Sequence, residues 1–255
     1  MKKSLLFLLA PAAALSFAAA AAPAHADSGT SYQATLAALN GSGASGTVML
    51  SLNGNAATIS EHVTGLAATF SGAPYPHVQH IHGGAMGVCP TTSADTNKDG
   101  VISTTEGGPS YGAVITTLST SGDTSPAAGT NLKVAPSGGS YDYSRTITLD
   151  SKTVDAIKGG TAVIVVHGLD PTTLSAAAQA EKSDLVPSLP LAATSPALCG
   201  KVLVSQMSGI PSGGVATGGG STSGLQNEGL LAAGGVMLLG AGALLGARRR
   251  LTAKR

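Results

Sequence analysis

The chain has 255 residues and a formal net charge of +1, and only 11% of its side chains are charged. Aromatic residues make up 3% of the chain, tryptophan is absent, and 35 residues are glycine. A chain this close to neutral offers no basic surface for nucleic acid, so we expect no nucleic-acid partner.

Residues 1–26 have the pattern of a secretory signal peptide. Lys2 and Lys3 stand before an apolar run, and Ala24–Ala26 has the small-x-small form of a cleavage site. We therefore predict that the mature chain begins near Asp27 and that the protein is exported.

Residues 27–207 form the predicted folded domain, which is long enough for one hydrophobic core. Its β-branched runs, separated by Gly, Asn, Ser and Pro, are "YQATLAALN", "GTVMLSLN", "AATISEHVTGL", "HVQHIHG", "GAVITTLS", "SRTITLD" and "TAVIVVHGL". Such runs are typical of an all-β, antiparallel sandwich or barrel. The "LNGN" segment at 52–55 predicts a hairpin turn, and "SKTVDAIKGG" and "TTLSAAAQAEK" predict one or two helical turns.

The stretch "HVQHIHGGAMGVCP", residues 77–90, holds three histidines and a cysteine. If it includes a strand, side chains two residues apart lie on one face, which places His80 and His82 together. Two imidazoles on one face are suited to hold a metal ion if further donors approach them. The alternative is that both are hydrogen-bonded residues at the edge of a sheet.

Cys89 and Cys199 are the two cysteines of the chain. Cysteines of an exported protein are usually paired, so we predict a disulfide between them. Closing so long a loop stabilises a fold by about 4–5 kcal/mol, less any strain. The alternative is two unpaired thiols.

Residues 95–106, "DTNKDGVISTTE", match the EF-hand calcium loop at every defined position. Calcium takes six to eight oxygen ligands, which one loop folded around the ion can supply. The predicted ligands are the side chains of Asp95, Asn97, Asp99, Ser103 and Glu106 and the carbonyl of Val101. Pro90 precedes the loop and "GGPSYG" follows it, so we expect an EF-hand-like loop inserted in a β domain, without flanking helices. The alternative is a polar turn that binds no ion.

The C-terminal part of the chain predicts a tether and an anchor. Residues 208–229 are rich in Gly and Ser, which is typical of a flexible linker. The uncharged run at 230–247 is long enough to cross a bilayer as a helix, and the basic tail at 248–255 predicts a cytoplasmic end. We expect a single-pass anchor that holds the domain at the extracytoplasmic face of the membrane; the alternative is a buried apolar helix. No LPxTG motif precedes the run, so membrane retention is favoured over covalent attachment to a cell wall.

Several segments together resemble a known family. "HIH" at 80–82, "VVH" at 165–167 and "ALCGKV" at 197–202 follow one another as in the copper/zinc superoxide dismutases. "LNGSGASGTVML" and "HVTGL" are similar to that family's opening strands. The "HIHGG" segment resembles the CHRD domain, a secreted β domain, at least as well. The resemblance spans roughly residues 31–205 and implies a superoxide dismutase-like Greek-key fold.

The resemblance also assigns roles to residues. It implies copper ligation by His80, His82 and His167 and the family's disulfide at Cys89 and Cys199. His77, three residues before the first ligand, resembles a supporting position. No histidine occurs between His82 and His167, where the zinc ligands are expected, and Pro196 stands where an active-site arginine is expected. We therefore expect copper without zinc, and inefficient turnover of superoxide.

Two functions follow from these patterns. The first is a non-catalytic surface module, stabilised by calcium and able to bind copper, with a matrix or cell-surface protein as its partner. The second is a copper-only superoxide dismutase that protects the cell envelope. The missing arginine favours the first, because no cation then guides superoxide to the metal.

Overall fold

The computed structural model describes residues 29–205, and its main feature is an antiparallel sheet. The strands are β1 (Thr30–Ala38), β2 (Ser45–Asn53), β3 (Ala56–Thr64), β4 (Thr69–Phe70), β5 (Ala73–Pro74), β6 (Gln79–Gly83), β7 (Ala113–Thr117), β8 (Ser140–Thr148), β9 (Val163–His167), β10 (Pro196–Lys201) and β11 (Leu203–Val204). The α-helices are α1 (Thr104–Tyr111), α2 (Ser151–Lys158), α3 (Ala176–Ala180) and α4 (Leu191–Thr194). The prediction of an all-β, antiparallel fold is confirmed.

Nine strands form one curled sheet around the main core. Their order is β7-β6-β9-β10-β1-β2-β3-β8, with β11 beside β1, while β4 and β5 pair separately. Alternate residues of each long strand face inward, as in β1, where Tyr32, Ala34 and Leu36 are buried. The two end strands come within side-chain reach, because Arg145 of β8 donates a hydrogen bond to the carbonyl of Ser119, just after β7.

The predicted hairpin turn and both predicted helical segments are present. Asn53 of β2 pairs with Ala56 of β3 across the turn, where Gly54 has a positive φ of 60°. Helix α2 begins after Asp150, whose side chain accepts a hydrogen bond from the backbone of Thr153. Helix α3 is shorter than its sequence pattern and covers only five residues.

The prediction that no helix flanks the calcium-type loop, residues 95–106, is wrong on its C-terminal side. Helix α1 begins within the last three residues of the loop, continues beyond it and includes two glycines and Pro109. Ser103 and Glu106 form a capping box, in which each side chain accepts from the other residue's backbone N–H. The hydroxyl of Tyr111 also donates to the carbonyl of Thr104. These contacts cap the N-terminus of the helix and connect it to the last residue, which stabilises the helix despite the proline.

Strands β6 and β9 separate the main core from a second, smaller cluster. Ile81, Ile164 and Val166 point into the main core. Val163 and Val165 alternate with them and join the second cluster on the opposite face. The histidines of both strands lie at the positions that share this opposite face.

Several predictions concern segments outside the described residues. These are the signal peptide at 1–26, the linker at 208–229, the apolar run at 230–247 and the basic tail at 248–255. Within residues 29–205, no helix is long and apolar enough to cross a membrane.

Candidate metal centre

Three histidines converge on the outer face of the sheet. His80 and His82 come from β6 and His167 from the end of β9, in the antiparallel register that pairs these strands. Each offers a ring nitrogen, and the three nitrogens lie within 4.8 Å of one another. Small ring rotations would therefore bring all three to one ion at about 2 Å.

Backbone carbonyls fix the orientation of each imidazole. The three hydrogen bonds are His80 Nε2 to Gly129 O at 2.9 Å, His82 Nδ1 to Gly112 O at 2.9 Å and His167 Nδ1 to Thr194 O at 2.6 Å. A carbonyl can only accept, so the bonded nitrogen of each ring carries the proton. The other nitrogen then presents a lone pair, which is how proteins set the tautomer of a metal ligand.

The remaining nitrogens have no hydrogen-bond partner. They are His80 Nδ1, His82 Nε2 and His167 Nε2, and the three residues are only 4%, 1% and 3% exposed. A buried polar atom without a partner is costly, because it has lost water and gained nothing. Three such atoms on neighbouring rings fit a metal ion, which would satisfy all of them at once. The donor set passes the test for copper that the sequence suggested.

Burial also keeps these imidazoles neutral, which is the form that binds a metal. It lowers the pKa of His80 well below its ordinary value, with the neighbouring histidines adding to the effect. It lowers the pKa of His82 to about 3 and that of His167 to about 4. None of the three therefore needs to lose a proton before it coordinates an ion at neutral pH.

Helix α1 contacts the centre at both of its ends. The carbonyl of Gly112, which follows the helix, accepts a hydrogen bond from His82 Nδ1, and the Tyr111 ring packs edge-on against the His82 ring with centroids 4.6 Å apart. At the other end, the Thr104 hydroxyl donates to the carbonyl of Thr194, the same oxygen that anchors the third histidine. The position of this helix therefore sets the orientation of two of the three rings.

His77 contacts the backbone of His167, one of the three candidate ligands. Its Nδ1 lies 2.9 Å from the carbonyl oxygen of His167, and its Nε2 lies 2.9 Å from that of Ala67. Gly168 has a φ of 107°, and a Cβ there would come within 2.7 Å of His77 Nδ1. The glycine therefore allows the chain to turn closely around this ring.

A cavity of about 370 Å³ opens onto the three histidines. Its apolar walls include Val114, Pro126, Leu132, Leu185, Val186 and Leu189. In the described part of the chain no Asp, Glu, Lys or Arg lines it. Pro196, at the position of the expected arginine, is buried. It lies on β10 and pairs with His167 of the adjacent strand β9. The centre thus faces an apolar, uncharged space.

The calcium-type loop is folded back on its own backbone. The carboxylate of Asp95 accepts from the N–H groups of Lys98 and Gly100, at 2.8 and 3.0 Å. Asp99 accepts from the N–H of Val101, and Asn97 donates from its amide to the carboxylate of Asp99. These bonds bend the loop into a tight turn.

Glu106, the last residue of the loop, holds the two ends of the loop together. Its two oxygens accept backbone bonds from Thr96, Asn97 and Ser103. Burial raises its pKa, but these hydrogen bonds prevail and lower it to about 2. Sequence reasoning missed Glu181, whose pKa is raised by burial and by the nearby carboxylates of Asp99, Glu106 and Asp95. No local pattern marks this residue, because it lies far from the loop in the sequence, just after α3.

The predicted disulfide is present. Cys89 and Cys199 are bonded, with their Cα atoms 5.8 Å apart. Cys199 lies on β10 in the same outer cluster as Val165 and Tyr111. The bridge therefore ties the segment before the calcium-type loop to the sheet beside the histidines.

Comparisons with known proteins do not assign this chain to a family. No protein-family model matches the chain. No curated protein matches it either. Among solved structures it is similar to a mutant of superoxide dismutase 5 from Candida albicans, at 16% identity and a TM-score of 0.37, over 69% of this chain and 92% of the other. A likeness at this level carries no argument about cofactor or activity.

Proposed function

We propose that this chain is an exported, membrane-tethered copper-binding module of superoxide dismutase-like or CHRD type. The observation that carries the proposal is the set of three buried, unpartnered nitrogens of His80, His82 and His167. Each ring is held by a carbonyl on its far side, so the donors are in place before an ion arrives. When bound, copper supplies one-electron transfer between its two oxidation states.

The donor set favours copper over zinc. Imidazole nitrogen is a good ligand for both metals, but the divalent copper ion binds a given nitrogen site more tightly. The group of donors contains no carboxylate and no thiolate among the described residues. Both cysteines are consumed in the disulfide, so neither can serve as a soft ligand.

We assign the module a non-catalytic role toward superoxide. Superoxide is an anion, and fast enzymes draw small anions to the metal with nearby positive charge. The cavity offers none, since Pro196 replaces the expected arginine. Arg145 is engaged elsewhere, in hydrogen bonds to Ser119 and to the carbonyl of Gly122. An anion entering this cavity would lose its water and meet no positive charge other than the metal itself.

A copper-only superoxide dismutase is the second candidate. It is favoured by the number of donors, because three imidazoles leave an open position at the metal for a small molecule. In that case the copper-loaded chain should consume superoxide rapidly, and His82→Gln should abolish the activity. A rate no higher than that of free chelated copper would exclude it.

We further propose that residues 95–106 bind one calcium ion. The complete sequence pattern supports this, together with the tight turn in which Asp95 and Asp99 accept hydrogen bonds from the backbone of the loop. Because α1 begins inside this loop, an ion there would also hold the helix that orients two of the histidines. A surface or matrix protein partner and the membrane anchor stay predictions from the sequence.

Elemental analysis of the purified full-length chain tests the copper proposal. We expect about one copper per chain in the wild type and in His62→Ala, whose ring is exposed and pairs with Asp142. His82→Ala and the bulkier His82→Gln should lose the metal while keeping the circular dichroism spectrum of the wild type. Zinc in place of copper, or copper retained in both His82 variants, would contradict the assignment.

A further inference from the structure

We propose that the histidine centre takes a neutral, mainly apolar organic molecule through the adjoining cavity, with one uncharged nitrogen or sulfur donor directed at the metal. The proposal rests on the proposed copper function and adds the class of ligand. It is carried by the polarity and size of the cavity and by the preformed state of its walls.

The polarity of the cavity disfavours a ligand with a charged body. The walls are built by aliphatic side chains and by the hydroxyls of Thr104, Thr130, Ser188 and Thr194. Two of these hydroxyls are already committed, since Thr104 donates to a backbone carbonyl and Thr194 donates to Ser183. A charged ligand would therefore find no counter-ion in the walls, where only the metal itself could offset the charge of an anion, and too few hydrogen bonds to replace its water.

The size of the cavity points to a ligand with a hydrocarbon body. Its volume of about 370 Å³ lies in the range of small-molecule sites and far exceeds what a diatomic molecule needs. Leu132 and Leu185 line it, yet they are 46% and 53% exposed. A ligand that fills the space would cover both side chains, and burial of that apolar surface would stabilise the complex.

The wall formed by residues 185–189 is fixed before any ligand binds. The Ser183 hydroxyl accepts the backbone N–H groups of Leu185 and Val186, and it also accepts from the Thr194 hydroxyl. The carbonyl of Thr194 is the anchor of His167. The wall and the metal donor are thus parts of one hydrogen-bonded unit, so little ordering is required on binding.

The floor of the cavity supplies the attachment point. All three histidines line it, and their unpartnered nitrogens belong to the buried face that it reaches. Three donors leave a copper ion able to accept a further ligand. A lone-pair nitrogen or sulfur at the end of an apolar molecule matches both the metal and the walls.

The test is a titration of the copper-loaded, full-length chain with 4-alkylpyridines from methyl to butyl, followed by electron paramagnetic resonance. We expect affinity to rise about fourfold for each added methylene group until the cavity is filled. Azide, a small anion that binds copper, should bind more weakly than 4-butylpyridine. Leu189→Gln should flatten the dependence on chain length, and Leu203→Gln on β11, which is exposed outside the cavity, should leave it unchanged.

Two outcomes separate this inference from the copper proposal. Copper binding with an affinity that does not depend on alkyl length, or with a preference for azide, would overturn the ligand class alone. A chain that binds no copper would overturn the proposed function. In that case the cavity is tested on the metal-free chain with toluene and butylbenzene by nuclear magnetic resonance. Equal binding of the two, or none, would overturn the apolar site as well.

Discussion

Replacing Glu61 by glutamine should change how the stability of the fold depends on pH. Glu61 lies on β3 between Ile59 and Val63, both of which face the main core, and it is 3% exposed. Neither carboxylate oxygen has a hydrogen-bond partner in the described part of the chain. Burial raises the pKa of Glu61 to about 8. The polar side chain of Gln79 lies nearby and lowers the pKa, but this effect is weaker than that of burial. The folded chain therefore keeps this group protonated at neutral pH.

The size and sign of the effect follow from that pKa. In the unfolded chain the group ionises near its ordinary value of 4.5. Below that pH both states are protonated and the full stability is present. As pH rises from there to about 8 only the unfolded state gives up the proton, so stability falls. At 1.36 kcal/mol per pH unit, the loss over this window is on the order of 5 kcal/mol.

Urea unfolding of the purified chain between pH 5 and 8, followed by circular dichroism, measures this loss. Glu61→Gln should be more stable than the wild type at pH 8, and the difference should shrink toward pH 5. The buried histidines titrate in both proteins, so their contribution cancels in the difference. Asp155→Asn, an exposed change on α2, serves as the control. A difference between Glu61→Gln and the wild type that stays constant across this range would refute the reasoning.

The remaining predictions concern the metal sites, the disulfide and the anchor. Gly129→Ala places a Cβ 3.1 Å from His80 Nε2, the nitrogen that the Gly129 carbonyl anchors. The change should weaken copper binding about 10–100-fold in a competition titration. An unchanged affinity would show that this contact does not control the orientation of the ring. The calcium-type loop should bind calcium with a Kd on the order of 10⁻⁴–10⁻³ M, and calorimetry of Glu106→Gln should show the largest loss among its ligand variants. Cys89→Ser should lower the free energy of unfolding by about 4–5 kcal/mol, and a loss below roughly 1 kcal/mol would contradict the entropic account. Ending the chain after Ser208 should release soluble protein, and retention in the membrane fraction would show that the anchor lies elsewhere.

Local patterns predicted the strand that carries two of the ligands. The alternation in "HVQHIHG" places His80 and His82 on one face because strand geometry is decided by neighbouring residues. The same alternation in "TISEHV" puts Glu61 on the core face beside Ile59, so this buried acid could also have been recognised from the sequence. The capping box of Ser103 and Glu106 is also a local pattern, and it uses two residues that the calcium-loop motif shares.

Other parts of the site could not be predicted from local pattern. His167 reaches the centre through the pairing of β9 with β6, and sequence reasoning placed it there only through a family resemblance. The carbonyl of Gly129 and the wall at 185–189 come from irregular segments without hydrophobic periodicity. Their positions depend on tertiary contacts far apart in the chain, such as the bond from Thr104 to the carbonyl of Thr194.

X-ray absorption spectroscopy of the copper-loaded, full-length chain tests the central claim most directly. It counts the imidazole ligands around the metal and measures their distances. We expect three histidine nitrogens at about 2 Å in the wild type and in His62→Ala, and a lower count in His82→Gln. Copper bound without three imidazoles, or an identical spectrum from His82→Gln, would contradict the assignment of the metal to His80, His82 and His167.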